Sequence, residues 1–147
     1  MFNKIRSNII LDNLSIEDAI NKMELSEKKI LLVITKKNKF IGTVTDGDFR
    51  RFFLMNDKNY KLPISLLASK NASVLSDSKI SKQNIIKDIF LSTQVNYIPV
   101  LDSKNKPVGI LDRDDYLGFK NKNNLPIVIM AGGFGKRLGS LTKKIPK

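Results

Sequence analysis

Apolar residues recur along the chain with two different periods, and both halves of the sequence show them in the same order. From Ile16 to Met23 the apolar positions fall at i, i+3, i+4 and i+7, which predicts one face of a helix. Short apolar runs at 30–34 and 40–44 predict two strands, and phenylalanines between 49 and 53 predict a second helix. A helix, two strands and a helix are predicted again from Ile85 onward.

The two halves also repeat each other residue by residue. Residues 33–53 match residues 100–120 at a constant spacing of 67 positions. The matched pairs include Val33 with Val100, Asn38 with Asn105, Gly42 with Gly109, Asp48 with Asp115 and Phe52 with Phe119. The matched asparagines stand in the turn between the predicted strands, where the left-handed backbone conformation is often required. A repeat of this length predicts two copies of one supersecondary unit packed together.

The expected fold class is therefore α+β. Each unit is a helix–strand–strand–helix module, and two small sheets are expected to pack with pseudo-two-fold symmetry, followed by a truncated strand and a glycine-rich loop. The expected boundaries are a first module at 1–57, a connector at 58–72, a second module at 73–120, a linker at 121–125 and a different segment at 126–147.

Composition excludes several kinds of chemistry. The 147 residues contain no cysteine and no histidine, so disulfides, thiol catalysis, Ser-His-Asp catalysis and Cys/His zinc sites are excluded. The net charge is +12, and residues 125–147 carry five basic residues and no acidic one. The other lysines are scattered among acids without interleaved aromatics, which argues against nucleic-acid binding. The chain has no apolar run of about 20 residues, so we expect a cytoplasmic protein that does not enter the membrane.

One motif recurs where each second strand is predicted to enter a helix. The first copy ends with Thr45 and Asp48, and the second with Asp112 and Asp115. Two acceptors three residues apart can hold the two hydroxyls of a ribose, and the helix N-terminus favours phosphate. The alternative is that Thr45 and Asp112 only cap their helices, with the following acids in the first turn. The motif alone leaves both interpretations open.

The repeat resembles the CBS domain pair, or Bateman module, over roughly residues 7–120. In that family the Thr or Ser and the Asp of this motif bind the ribose of adenine or related purine nucleotides. The resemblance implies that Thr45 and Asp48 bind a nucleotide in the first copy, and that Asp112 and Asp115 are the binding residues of the second. Asp115 fits the pattern there, whereas Asp112 stands where Thr or Ser is usual. It also implies that an apolar pocket for the base is formed by Leu31, Leu32, Ile98 and Pro99. The alternative is that these four residues only pack in the core.

The last 22 residues have a different character. A continuous apolar run at 127–131 is typical of a buried parallel strand. Glycines and basic residues follow it at once, and they are suited to hold a phosphate chain. These residues are Gly132, Gly133, Gly135, Lys136 and Arg137, and the chain ends with Pro146 and Lys147.

This segment is similar to the signature of sugar-phosphate nucleotidyltransferases, A-G-G-x-G-x-R-L-x-x-L-T followed by P-K. In that family the glycine-rich loop cradles the nucleoside triphosphate. The resemblance implies that Arg137 and Lys147 stabilise charge when a sugar 1-phosphate attacks the α-phosphate, and that the parent enzyme uses Mg²⁺. We expect this stretch of chain to be a truncated beginning of the catalytic domain, inactive without the rest of its sheet.

Three functions remain open at this point. The first is a regulatory, purine-nucleotide-sensing module of an enzyme that makes NDP-sugars, and the second is a structural pair that dimerises that enzyme without a ligand. A basic nucleic-acid-binding protein is the third. We also expect a symmetric homodimer, because apolar surface is predicted on the helices at Phe49, Phe52, Phe53, Tyr116 and Phe119.

Overall fold

The computed structural model describes residues 5–55 and 59–117 of the chain. In this part the elements follow one another in the order β1 (Ile9–Leu11), α1 (Ile16–Leu25), β2 (Ile30–Ile34), β3 (Phe40–Thr45), α2 (Asp46–Leu54), β4 (Leu75–Ser76), α3 (Gln83–Thr93), β5 (Tyr97–Leu101), β6 (Pro107–Asp112) and α4 (Arg113–Leu117). The predicted α+β class and the predicted helix–strand–strand–helix order of each module are confirmed. The segment at 126–147, with its glycine-rich loop, lies outside the described residues, and so does Phe119.

The strands form two three-stranded sheets of identical design. One sheet has the order β1-β2-β3 and the other β4-β5-β6, with a parallel pair followed by an antiparallel pair in each. In the first sheet Ile30 pairs with Thr45, and in the second Tyr97 pairs with Asp112, at the same spacing of 67 residues. Both antiparallel pairs also shift register next to their last residue. The repeat seen in the sequence is therefore a repeat of the backbone.

The sequence analysis missed the first strand of each sheet. Strand β1 has three residues and β4 has two, which is too short for an alternating pattern to be recognised. Both are defined by tertiary pairing, because each lies parallel to the buried central strand of its module. The tight turns were predicted correctly: Asn38 and Asn105 both have φ of 59°.

Each module has its own apolar core, formed where the helices pack on one face of the sheet. The first core includes Leu31 and Val33 of β2, and the second includes Ile98 and Val100 of β5. The intervening residues of β2 point to the other face, yet that face is also buried, since all five residues of the strand are buried. A small sheet with both faces buried needs a cover on the side that its own helices leave open.

Hydrogen bonds join the two modules where β3 begins and where the chain turns between β5 and β6. The backbone N–H of Phe40 donates a hydrogen bond of 2.9 Å to the carbonyl of Asn105, and the Asn105 amide donates one of 3.2 Å to the carbonyl of Phe40. The counterpart of Phe40 in the repeat is Pro107, which has no N–H to donate. The pairing of the modules is therefore only approximately symmetric.

The segment predicted as a connector packs back onto the first module. Ile64 is fully buried in the first core, and its N–H donates to the carbonyl of Leu14 at 2.8 Å. Farther along, Ser69 pairs with Thr43 on the edge of β3. The described residues contain no helix that is long and apolar enough to span a bilayer.

Helix α1 begins with a complete capping box. The N–H of Asp18 donates to the Ser15 hydroxyl at 3.0 Å, and the N–H of Ser15 donates to the Asp18 carboxylate at 3.1 Å. The hydrogen bonds from the side chain and backbone of Ser15 lower the pKa of Asp18. The cap therefore contributes its full stability at pH values above the pKa that Asp18 has in the unfolded chain. This contribution is lost as the pH falls through the lower pKa that Asp18 has in the folded protein.

The buried central strand should dominate the stability of the first module. Leu31 is 0% exposed, whereas Leu91 on α3 is 55% exposed. We expect Leu31→Ala to lower the free energy of unfolding by about 2–5 kcal/mol, because it leaves a cavity in the core. The matched variant Leu91→Ala should change it by less than about 0.5 kcal/mol. Urea denaturation of both variants measures the difference, and equal effects would contradict the assignment of the core.

Candidate functional site

A cleft of about 540 Å³ lies between the two modules, at the edge where β3 enters α2. Its size falls within the range of small-molecule sites. Both modules and the segment between them line it. The lining residues are Lys29, Ile30, Thr43, Thr45, Asp46, Gly47, Asp48, Arg51, Ser69, Asn71, Ala72, Ser73, Gln94, Val95, Asn96, Tyr97 and Pro99.

Thr45 and Asp48, both predicted as site residues, lie together on one wall of this cleft. The N–H and the hydroxyl of Thr45 each donate a hydrogen bond of 2.7 Å to the same carboxylate oxygen of Asp48. The Asp48 side chain is only 14% exposed, so the protein holds its position firmly. The predicted capping role is real, because these bonds start α2. Capping and ligand binding are compatible here, since a carboxylate has about four acceptor positions.

Two cations at the cleft were missed by the sequence analysis. The guanidinium of Arg51 contacts the second carboxylate oxygen of Asp48, and its side chain is 65% exposed. The ammonium of Lys29 donates to the carbonyls of Met23 and Glu24 at the end of α1, at 3.2 and 3.4 Å. The signal for Arg51 was present in the sequence, because a base three residues after an acid on a helix lies on the same face. With Asp46 and Asp48, they give the cleft two charges of each sign.

The wall opposite α2 comes from the end of α3 and the start of β5. Gln94 ends α3 in the left-handed conformation, with φ of 55°, and the chain then turns along the cleft. Of the four apolar residues expected around a base, only Pro99 lines the cleft. Leu31 and Ile98 belong to the two module cores, and Leu32 is buried but does not line the cleft. The apolar lining instead includes Ile30 and Tyr97. Strand parity explains the difference, because alternate residues of β2 and β5 face opposite sides.

A third wall is formed by residues 69–73, which the close approach of two backbones holds in place. Ser69 and Thr43 exchange backbone hydrogen bonds of 2.8 and 3.2 Å. A Cβ on Gly42 would overlap the carbonyl oxygen of Ser69 and lie 2.9 Å from its carbonyl carbon. The glycine of the repeated motif is therefore needed for packing, and through that packing it positions one side of the cleft.

The corresponding residues of the second module are arranged differently. One carboxylate oxygen of Asp112 accepts a hydrogen bond from the N–H of Asp114 at 3.1 Å, which is the capping role. The other oxygen lies 2.8 Å from the ammonium of Lys28, which comes from the first module. Asp115 is exposed in the first turn of α4. The structure thus does not bring Asp112 and Asp115 into the cleft that contains Thr45 and Asp48.

The remaining predicted site residues lie outside the described residues. They are Gly132, Gly133, Gly135, Lys136, Arg137 and Lys147. Within residues 5–55 and 59–117, no group of three or more acidic side chains is placed to hold a metal ion. The arrangement found at the cleft is suited to reversible binding, because it combines a fixed carboxylate, nearby cations and an apolar wall.

Comparisons with known proteins agree with this architecture. A family model described as "CBS domain" matches residues 8–63 and 83–122. The CBS domains of a transcriptional regulator from Streptococcus pneumoniae superpose with a TM-score of 0.66 at 15% identity, covering 80% of this chain and 93% of that one. Staphylococcus aureus OpuCA superposes with a TM-score of 0.60 at 17% identity, covering 76% and 89%. CBSX2 in complex with AMP gives 0.62 at 24% identity, covering 78% and 88%. No curated protein sequence matches the chain.

Gly42 and Gly47, which lie five residues apart, provide a matched test of the packing around the cleft. We expect Gly42→Ala to destabilise the protein by about 1–3 kcal/mol, because its Cβ would press on the Ser69 backbone. A Cβ on Gly47 would find its nearest neighbour, the Arg51 guanidinium, at 3.5 Å. Gly47→Ala should therefore be neutral or stabilise α2 by up to about 1 kcal/mol. Thermal melts measure the stability of both variants, and a Gly42→Ala protein as stable as the wild type would contradict the proposed role of this glycine.

Proposed function

The chain belongs to the CBS domain family, and from its tandem modules and the cleft at Thr45 and Asp48 we propose that it is a nucleotide-sensing regulatory module. The ligand is a purine nucleotide, most favourably an adenine nucleotide. One observation carries this proposal: the motif residues Thr45 and Asp48 form one wall of a ligand-sized cleft between the modules.

The chemistry of the cleft supports a phosphorylated nucleoside. Thr45 and Arg51 take three of the roughly four acceptor positions of Asp48, and the remaining one can receive a ribose hydroxyl. The N-terminus of α2 and the guanidinium of Arg51 lie on the same side and favour phosphate. Tyr97 and Pro99 offer an apolar surface for the base. The neighbour CBSX2, whose structure was solved in complex with AMP, is consistent with this ligand class.

The regulated activity is proposed from the tail. The segment at 126–147 carries the nucleotidyltransferase signature, so the parent protein would convert a nucleoside triphosphate and a sugar 1-phosphate into an NDP-sugar and diphosphate. In that enzyme Arg137 and Lys147 would stabilise the charge of the reacting phosphates, and Mg²⁺ would be held elsewhere in the catalytic domain. Such chemistry uses cytoplasmic nucleotides, which fits a cytoplasmic protein. The module would then adjust NDP-sugar formation to the nucleotide supply.

The second candidate function is dimerisation of the parent enzyme without a ligand. Its support is apolar exposure on the helices of the first module: Leu25, Leu54 and Met55 are 86, 80 and 77% exposed. The aromatic residues contribute less than expected, because Phe49 is buried at 5% exposure and Phe53 is 38% exposed. Dimerisation is also compatible with ligand binding, so it is the absence of a ligand that would favour this function.

We expect the protein to form a homodimer through the exposed apolar residues of α1 and α2. Light scattering at tens of micromolar should give twice the mass of 16.6 kDa calculated for one chain. Leu54→Glu should shift the protein toward the monomer, because it places a charge in the apolar contact. Leu91→Glu is the control, since Leu91 is also an exposed leucine, at 55%, but lies on α3. A wild-type monomer would rule this assembly out.

The ligand proposal is tested by removing the ribose acceptor. We expect Asp48→Ala to weaken AMP binding about 10- to 100-fold, since a hydrogen bond to a charged group contributes about 1.5–3 kcal/mol. Asp18→Ala is the matched control: it removes the corresponding capping acid of α1, which does not line the cleft. Asp115→Ala should have a smaller effect than Asp48→Ala. The measurement is calorimetric titration with AMP, ADP, ATP and GMP.

Two results would overturn the proposal in different ways. If none of the four nucleotides binds the wild type at millimolar concentration, sensing is wrong and the structural function takes its place. If the wild type binds but Asp48→Ala binds equally well, the module senses nucleotides at a different site.

A further inference from the structure

Because the two modules repeat each other, the residues at matching positions of two equivalent sites can be compared. The counterpart of a residue is the one 67 positions away in the other module, and the strand pairing of both sheets follows this spacing. Thr45 and Val95 both line the open cleft. Their counterparts are Asp112 and Lys28. These two counterparts lie at the equivalent place between the modules, where a second nucleotide site would be.

Lys28 and Asp112 contact each other directly. The ammonium of Lys28 lies 2.8 Å from a carboxylate oxygen of Asp112, and the two side chains are 28 and 12% exposed. The ammonium also lies 5.7 Å from the centre of the Tyr97 ring. Thr45 and Val95 at the open site are thus replaced by two opposite charges in contact, which are shielded from most of the solvent.

The ion pair removes what a nucleotide would need at this place. Where the open site has the Thr45 hydroxyl, this place has Asp112, with one oxygen held by Lys28 and the other accepting the N–H of Asp114. A ligand would have to separate the pair, and a partly buried charge left without its partner is costly.

We infer that the Lys28–Asp112 ion pair closes the second nucleotide site, so that the tandem module binds one nucleotide per chain, in the cleft of Thr45 and Asp48. The inference rests on the proposed function and adds to it the stoichiometry and the residues that set it. The pair joins the two modules, and it therefore takes over the bridging contact that a second ligand would make between them.

The test copies the residues of the open site into the closed one. The double variant Lys28→Val, Asp112→Thr places the counterpart residues Val95 and Thr45 at the second site, next to the remaining carboxylate of Asp115. Calorimetric titration with AMP should give one site per chain for the wild type and two for the double variant. Lys28→Arg is the control, because it keeps the ion pair and should keep one site.

A second pair of variants guards against misfolding. Asp112→Thr alone removes the carboxylate that holds the Lys28 ammonium, which can then contact phosphate, so this variant should also bind two nucleotides. Adding Asp48→Ala should weaken the only site of the wild type, whereas in the double variant one site should keep its affinity. Circular dichroism confirms that each variant is folded.

The outcomes separate this inference from the proposed function. Two sites in the wild type, or one site in folded proteins of both opened variants, would overturn the inference and leave nucleotide sensing intact. If the wild type binds no AMP but the opened variants bind one, the proposed cleft is wrong and the closing role of the ion pair stands. Absence of binding in all variants overturns both.

Discussion

The burial of each small sheet on both of its faces is the constraint on which the rest of this structure depends. The helices of a module cover one face, where Leu31 and Val33 enter the first core and Ile98 and Val100 enter the second. The other face, although the helices leave it open, is buried as well along the whole of β2. Because apolar area must be removed from water, each sheet needs a cover on the face that its own helices leave open.

The candidate cleft lies between the two modules. Strand β3 ends at the border of the covered face, and α2 begins there with Thr45 and Asp48. The opposite wall belongs to the second module, from Gln94 to Tyr97. Neither module contains a complete site, so a ligand in the cleft contacts both and stabilises their arrangement.

The two equivalent places between the modules have different roles because a few side chains differ. One keeps a hydroxyl, an apolar wall and a firmly held carboxylate, while the other holds the Lys28–Asp112 ion pair. The backbone symmetry is also broken at Phe40, whose N–H bonds to Asn105, while its counterpart Pro107 has no N–H. Two modules with the same strand order thus form one open cleft and one ion pair, and substitution of the side chains at either place need not change the fold.

The sequence by itself determined the class, the repeat and the motif residues, because these depend on local periodicity and on residue-by-residue matching. The turns at Asn38 and Asn105 and the helix starts at Thr45 and Asp112 were predicted for the same reason. Only the tertiary structure decided the short strands β1 and β4, which exist through pairing alone. It also decided that Arg51 joins the cleft and that Lys28 reaches Asp112, 84 residues away. Contacts between distant segments leave no period in the sequence, because they arise from packing two modules against each other.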